Sequence, residues 1–539
     1  MAIHINQVGY ATHLPKKASY VGDASEFEIC YRDGTVIYLG KITDFRYDHA
    51  ADENVGTIDF SDFTESGTFY ITAGGEASDL FEITAFPYTE VKEKLIDSFY
   101  YQRCGCEMDE DFAGKFYRSP CHTSISYIVD ENGNKTGDTL DTTGGWHTAG
   151  DYGRYTVATA TTLAHLMYSY ILFPEHFEDD IKNPMGGNST PDILDECRHG
   201  LKWLLKMQRE DGGVYHKVSC AHFCGDIMPD EESDDLLLCD VSANATATFC
   251  AVTALAANVF YMFDERLSKK LVCACTRAWD WLDRNPDAIP FKNPENITTG
   301  EYSDDNIDDE MFWAAAEMYR LTGEQRYNSY IYLYYRNQIL TSFGWCNVSG
   351  FGALAYLLNP NTSDNDAIAA FIENRIISEA DRICQTADNS GYNIAIAPSG
   401  FTWGSNMTIL TDAAVLIVAN VIKRNQKYIT TALEQLNYVL GKNPMGICYI
   451  TGVGDKPCKN PHHRLSTADG IDEPIPGLLV GGPNMYKNDP VSKECIPEDT
   501  PPAKCYVDRA DCYSINETAI YWNSLAVFVT AFFDDEISR

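Results

Sequence analysis

Residues 67–73 read GTFYITA and residues 88–103 read YTEVKEKLIDSFYYQR, and between these two stretches the period of the chain changes. In the first, apolar and polar residues alternate, as in a strand with one buried face. In the second, Tyr88, Val91, Leu95 and Phe99 recur three and four positions apart and line one face of a helix. Upstream, Ile3–Val8, Phe27–Tyr31, Val36–Ile42 and Gly56–Phe60 alternate in the same way. Their turn residues come roughly every 8–12 positions, the spacing of a β-sandwich. Downstream, segments such as 151–173, 191–209, 242–263, 308–322 and 517–533 keep the helical period. Pro191-Asp192 opens one of them, Asp308 precedes another, and Thr322-Gly323 ends it. The reading predicts a small all-β sandwich over 1–86 and an all-α domain over 87–539. About eleven or twelve helices with few strand signals suggest helical hairpins closing on themselves as an α/α barrel.

Composition narrows the partners. Of 539 residues, 41 are Lys or Arg and 78 are Asp or Glu, a formal net charge of -37. Such a surface repels phosphate, so neither nucleic acid nor an anionic membrane is an expected partner. The 33 tyrosines offer flat faces to uncharged ligands, sugars among them. No segment reads as the ~18 apolar residues of a membrane span; the longest candidate is Leu525–Phe533. The N-terminus has no apolar run of the signal-peptide kind, so the expected location is cytoplasmic or cell-associated, or secreted if a leader preceded it. The eighteen cysteines are scattered, several beside apolar helix residues (Cys250, Cys273, Cys275, Cys384), and read as reduced, buried small hydrophobes.

Long stretches at 104–150, 210–240 and 443–512 exceed ordinary connectors and are expected to carry function. The first ends in GGWHTAGDYGRY (144–155), whose glycines bring Asp151 to the start of a helix. A helix N-cap is the plain reading of that aspartate. The last ends in DRADCYSINE (508–517), where Glu517 reads by itself as a first-turn acid favoured by the helix dipole. Two carboxylates at loop–helix junctions also fit the general base and general acid of glycoside hydrolysis. A third motif, NPHHR (460–464), joins a His pair to an arginine; the adjacent cation disfavours a metal and suits hydrogen bonds to a polyol or a carboxylate.

These motifs, in this order after a small β-domain, resemble glycoside hydrolase family 9. Further phrases agree: PDILDE (191–196), GVYHKV (213–218), WGSN (403–406) and GLLVGGPN (477–484). The resemblance implies an (α/α)6 barrel preceded by an immunoglobulin-like sandwich, and inverting hydrolysis of β-1,4-glucans such as cellulose or cellodextrins. It implies Glu517 as general acid and Asp151 as general base, roughly 6.5–9.5 Å apart so that water fits between. His462, Arg464 and Tyr513 match sugar-binding positions, and Trp403 and Trp313 are candidate stacking platforms that also read as core. The family carries Asp-Ala-Gly-Asp where this chain has Thr148-Ala149-Gly150-Asp151. Thr148 can hydrogen-bond the attacking water but adds no negative charge, so hydrolysis is expected to be weakened by about 10²–10⁴-fold if nothing compensates.

Cys104, Cys121, His122 and His147 suit tetrahedral zinc by donor type, though not by any short-ribbon spacing. The resemblance implies a structural zinc at these four positions, with Cys106 a spare thiol nearby. STADGIDE (466–473) offers Asp469, Asp472 and Glu473 to calcium, and reads equally as a solvated acidic loop. DEESDD (230–235) is read as solvated. The leading function is thus a β-1,4-glucan endoglucanase or cellodextrinase acting as a monomer. The alternatives are a catalytically impaired glucan-binding protein, or a hydrolase of xyloglucan, mixed-linkage glucan or glucosamine oligomers.

Overall fold

The computed structural model describes residues 2–177, 184, 186–362 and 366–534. The chain forms two compact units. One comprises residues 1–98, 377–466 and 471–539; the other comprises residues 99–376 and 467–470.

In the first unit the N-terminal strands run in the spatial order Ala2–His4, Lys17–Val21, Glu53–Asp59, Val36–Asp48, Glu26–Tyr31, Gly67–Ala73, Phe81–Thr84, Tyr10–Ala11. The long strand Val36–Asp48 makes this a sandwich. Its first half pairs with Glu26–Tyr31, its second with Glu53–Asp59, and the register shifts between Thr43 and Arg46. Asp44 takes a positive φ in that bulge. Alternation sends Phe27, Ile29, Phe69 and Ile71 into a common core with Tyr10, Tyr20 and Ile83. Lys17–Val21 and Phe81–Thr84 were not expected as strands, and the first expected strand stops at His4.

The sandwich packs on the C-terminal helices of the same unit through buried polar contacts. Asn6 Nδ2 donates to Asn437 Oδ1 at 2.8 Å. Lys442, paired with Glu434 at 2.9 Å and almost fully enclosed, donates to Ser19 and to the Tyr392 carbonyl. Helix Ser405–Ile422 packs against Gln426–Val439 and Ile520–Phe533.

The second unit holds Ala243–Phe260 at its centre, against Glu265–Arg284, Asp308–Thr322 and Thr156–Leu172. Among the described residues, twelve helices have nine or more residues. The one missing from the sequence reading is Ser349–Leu357. Its Gly350 and Gly352 lower helix propensity, yet a Cβ at Gly352 would lie 2.6 Å from the Phe312 ring, so close packing on Asp308–Thr322 requires glycine there. A second departure is a five-stranded sheet in this unit, Lys135–Leu140, Ser126–Val129, Leu237–Val241, Tyr215–Ser219 and Arg154–Tyr155 in order. It is built from the two long stretches 104–150 and 210–240 and from the end of the Asp151 motif.

Two expectations are corrected. Ala243–Phe260 and Ser405–Ile422 are long and apolar enough to span a membrane, but 89% and 67% of those residues are buried inside the protein, so they are core helices. Most cysteines are buried and all are free, but Cys273 is exposed, on the outer face of Glu265–Arg284.

Candidate active site and metal centre

In the second unit the turn carrying Asp151 is braced from both sides. Gly144 and Gly145 adopt φ of 113° and 77°, and a Cβ on Gly145 would meet the Trp203 side chain at 2.7 Å. Trp146 is fully buried; its Nε1–H donates to Glu196 Oε1 at 2.7 Å, and Arg103 binds the same carboxylate. His199 Nε2 lies 3.0 Å from the Gly145 carbonyl, so that nitrogen carries the proton. The turn then closes on itself: Thr148 N–H donates to Gly153 O at 2.9 Å, and Gly153 N–H to Asp151 Oδ1 at 2.7 Å. Asp151 is half-buried. The helix starts at Thr156, so Asp151 caps a turn five residues ahead of it and not the helix itself.

Thr148 is 0% exposed, and its hydroxyl oxygen accepts the Tyr155 N–H at 3.2 Å. Its side chain therefore staples the turn through one lone pair of the hydroxyl. Behind the turn lies Lys217, held by Asn293 Oδ1 (2.7 Å), Thr299 Oγ1 (3.0 Å) and Gly300 O (2.7 Å). Burial pulls its ammonium down to about 8, opposed by negative charge that includes Asp151.

Glu517 lies in the first unit, in an extended segment three residues before helix Ile520–Phe533. The helix-dipole reading of this acid is replaced by β-bridges. His462 pairs with Glu517 and Val480 with Thr518, and Gly481 N–H donates to the Glu517 carbonyl at 2.9 Å. The WGSN and GLLVGGPN phrases are the scaffold: Asn406 Nδ2 donates to Val480 O at 2.9 Å and Ser405 Oγ to Pro483 O at 2.7 Å. Trp403, 41% exposed, donates its Nε1–H to Glu517 Oε2 at 2.9 Å. Its ring centroid is 5.7 Å from that of Tyr513, which is 5.8 Å from that of His462. His462 Nδ1 donates to the Ala510 carbonyl at 2.8 Å, which in the neutral ring makes Nε2 an acceptor. Arg464 is half-buried at the start of helix Arg464–Ala468. Trp313 is not a stacking platform. It is 0% exposed, bonds Glu317 Oε1 through Nε1 and packs on Phe351, as a core residue does.

Cys104, Cys121, His122 and His147 converge, with their ligand atoms all within 4.8 Å of one another and all four residues buried. The separations are 4.0 Å for the two sulfurs, 3.7 Å for Cys104 Sγ to His122 Nδ1, and 3.7 Å for Cys121 Sγ to His147 Nε2. A tetrahedral zinc, with bonds of about 2.3 Å to sulfur and about 2.0–2.1 Å to nitrogen, would place S···S near roughly 3.8 Å and S···N near roughly 3.6 Å. The residues present fit that ion. A hydrogen bond from Cys104, with His147 and His122 beside it, pulls the Cys121 thiol far below its ordinary range, while burial pushes Cys104 up. Burial holds His147 neutral, down to about 4. Cys106 instead packs beside the cluster of Tyr100, Met108 and Ala113.

Sequence reasoning missed a fifth member of this cluster. Glu232, in the acidic run read as solvated, has a side chain only 6% exposed and meets His122 Nε2 at 2.8 Å. Burial opposes its ionisation, but the His122 contact holds the carboxyl below the ordinary range. With the partners 110 positions apart, no local signal in the sequence announced it. Of the acids expected to hold calcium, Asp472 and Glu473 are exposed and Asp469 is half-buried.

The sequence pattern of glycosyl hydrolase family 9 matches residues 88–530, and that of the cellulase N-terminal ig-like domain matches residues 1–78. A cellodextrinase of Butyrivibrio fibrisolvens is 37% identical over 97% of this chain and 98% of its own length. The solved structure of a single-mutant thermostable endoglucanase from Alicyclobacillus acidocaldarius superposes with a TM-score of 0.93 at 33% identity, covering 99% of each chain. That of a zinc-binding triple mutant of a family 9 endoglucanase does so at 0.92 and 31% identity, covering 98% of this chain and 100% of the other. The chain belongs to glycosyl hydrolase family 9 and is a glycoside hydrolase, an (α/α)6 barrel preceded by an immunoglobulin-like domain.

Proposed function

We propose that this enzyme hydrolyses β-1,4-glucosidic bonds in cellulose-type glucans, with soluble cellodextrins as preferred substrates, and inverts the anomeric carbon. The observation that carries the reading is the orientation of Glu517 by the Trp403 indole, whose ring neighbours Tyr513, itself next to His462. A general acid must present its proton to one oxygen in one direction, and the fixed donor at Oε2 sets the carboxyl plane. Glu517 gives its proton to the leaving glycosidic oxygen as the C–O bond breaks. Asp151, held through Oδ1 by Gly153 N–H, takes a proton from the water that attacks the opposite face. Solvent then reprotonates Glu517 and deprotonates Asp151. The exposed Trp403 face suits a neutral pyranose, and the cellodextrinase relative supports short soluble chains.

Proton NMR of the first product from cellotetraose tests the reading. The α-anomer is expected initially; an initial β-anomer excludes inversion. Glu517→Gln and Asp151→Asn should each lower kcat by at least about 10²–10⁴-fold. Loss of neither activity would remove these two residues from the chemistry.

Zinc is proposed at Cys104, Cys121, His122 and His147. When bound, it supplies a structural crosslink and no open coordination position for substrate. Calcium at Asp469, Asp472 and Glu473 is a separate proposal, resting on the hard oxygen donors of that turn. A Tm raised by Ca²⁺ in the wild type and not in Asp472→Asn supports it; identical responses refute it.

A further inference from the structure

The acidic segment between strands Tyr215–Ser219 and Leu237–Val241 is tied to its surroundings at several points, among them Lys135 to Asp235 and Thr298 N–H to the Ala221 carbonyl, and two of its contacts adjoin the ligand cluster. At one, the Glu232 carboxylate meets His122 Nε2 at 2.8 Å. At the other, the Tyr152 hydroxyl donates to the Ile227 carbonyl at 2.6 Å. Tyr152 follows Asp151 directly, and its ring packs 4.9 Å from His147 and 5.7 Å from His122. His122 itself takes a φ of +48°, in the left-handed region that few residues with a Cβ adopt.

The atoms assign distinct tasks to the two nitrogens of His122. Nδ1 faces Cys104 Sγ at 3.7 Å, inside the ligand cluster, while Nε2 faces the carboxylate. A carboxylate accepts and never donates when ionised, so Nε2 carries the proton and Nδ1 presents its lone pair. We propose that Glu232 is a positioning residue of the metal centre: it fixes the coordinating tautomer and the left-handed backbone of His122, and it holds the 220–235 segment on which Tyr152 rests. This rests on the zinc reading above and extends it from the four ligands to the group that orients one of them. Carboxylates in this arrangement raise ligand basicity, and their removal typically costs about 10–100-fold in metal affinity.

The test uses the whole chain and zinc alone. Zinc affinity is measured by competition with a chromophoric chelator for wild type, Glu232→Gln and Glu232→Ala, with zinc content by elemental analysis. Glu232→Ala should bind zinc about 10–100-fold more weakly. Glu232→Gln keeps the shape and an acceptor oxygen but not the charge, and should fall between. Hydrogen exchange of the zinc-loaded proteins supplies a readout besides activity: 220–235 and 147–155 should both exchange faster in Glu232→Ala. Should Glu232→Ala misfold, Glu232→Gln decides alone. A zinc-loaded wild type whose two variants match it in affinity within twofold overturns this inference and leaves the zinc site standing. A wild type that takes up no zinc overturns both.

Discussion

The indole N–H of Trp403 donates to Oε2 of Glu517 at 2.9 Å, and both residues stand on segments that the WGSN and GLLVGGPN phrases lock together. A tryptophan read from sequence as a sugar platform is thereby also the group that aims the acid. Its exposed face and its N–H serve different partners, so the two roles separate by mutation. Trp403→Phe keeps an aromatic face and removes the donor. A hydrogen bond to a charged group is worth about 1.5–3 kcal/mol, so kcat on cellotetraose should fall by roughly 10–100-fold with little change in KM. A KM effect with unchanged kcat would make Trp403 a binding surface only.

Thr148 uses its single side-chain oxygen on the Tyr155 N–H. Aspartate at this position has a second oxygen, which can face the water and add negative charge beside Asp151. Thr148→Asp should raise kcat, by at most about 10²–10⁴-fold. An unchanged or lower rate on cellotetraose would show that Thr148 is not what limits this enzyme.

Removing zinc should loosen the chain where the ligands are. Cys104 to His147 closes a long loop whose far end leads directly into the Asp151 turn. Strong chelation is expected to lower Tm and expose 104–150 to protease, with activity lost in parallel. A Tm indifferent to chelator, with no zinc by elemental analysis, would count against the site.

Acid should destabilise the fold above the range where carboxylates act. His199 is lowered to about 4, and His165 and His216 to about 3, chiefly by burial. Unfolded histidine titrates near about 6.5, so below that pH the unfolded chain binds protons that the folded chain refuses. Stability is full above pH ~6.5 and falls as pH drops toward the folded values, each group accounting for on the order of a few kcal/mol at the bottom of that window. Tm should already decline between pH ~6.5 and ~5, where ordinary carboxylates stay ionised. Burial raises the Asp309 and Asp412 carboxyls to about 6 and about 7, which opposes this decline over the same window; NMR titrations in which the three histidine rings protonate near pH ~6.5 would overturn the account.

Much of the site was legible because it is written in short contiguous phrases. The turn of Gly144–Tyr155 needs its glycines at 144 and 145 for their positive φ, and Asp151 accepts the Gly153 N–H two residues on. The bounds of Asp308–Thr322 were legible for the same reason: the helix starts with acids and ends on the left-handed Gly323. Ser349–Leu357 was not, because the glycine that close packing demands is the residue that weakens the local helical signal. Trp313 was ambiguous, since a core tryptophan and a sugar platform are the same letter until burial is known.

The sequence by itself determined the class of fold and the family, and it nominated the two carboxylates, because periodicity and tight turns are properties of neighbours along the chain. Only the tertiary structure decided that Thr148 spends its oxygen on Tyr155, that Trp403 aims Glu517, and that Glu232 belongs to His122 and not to solvent. Those are hydrogen bonds across 7, 114 and 110 residues. At the two long separations, folding alone brings donor and acceptor within reach, and at Glu232, whose side chain is 6% exposed, it also removes the water that would otherwise compete. At the short one, the turn closed by Thr148 and Gly153 directs the hydroxyl to backbone in place of solvent.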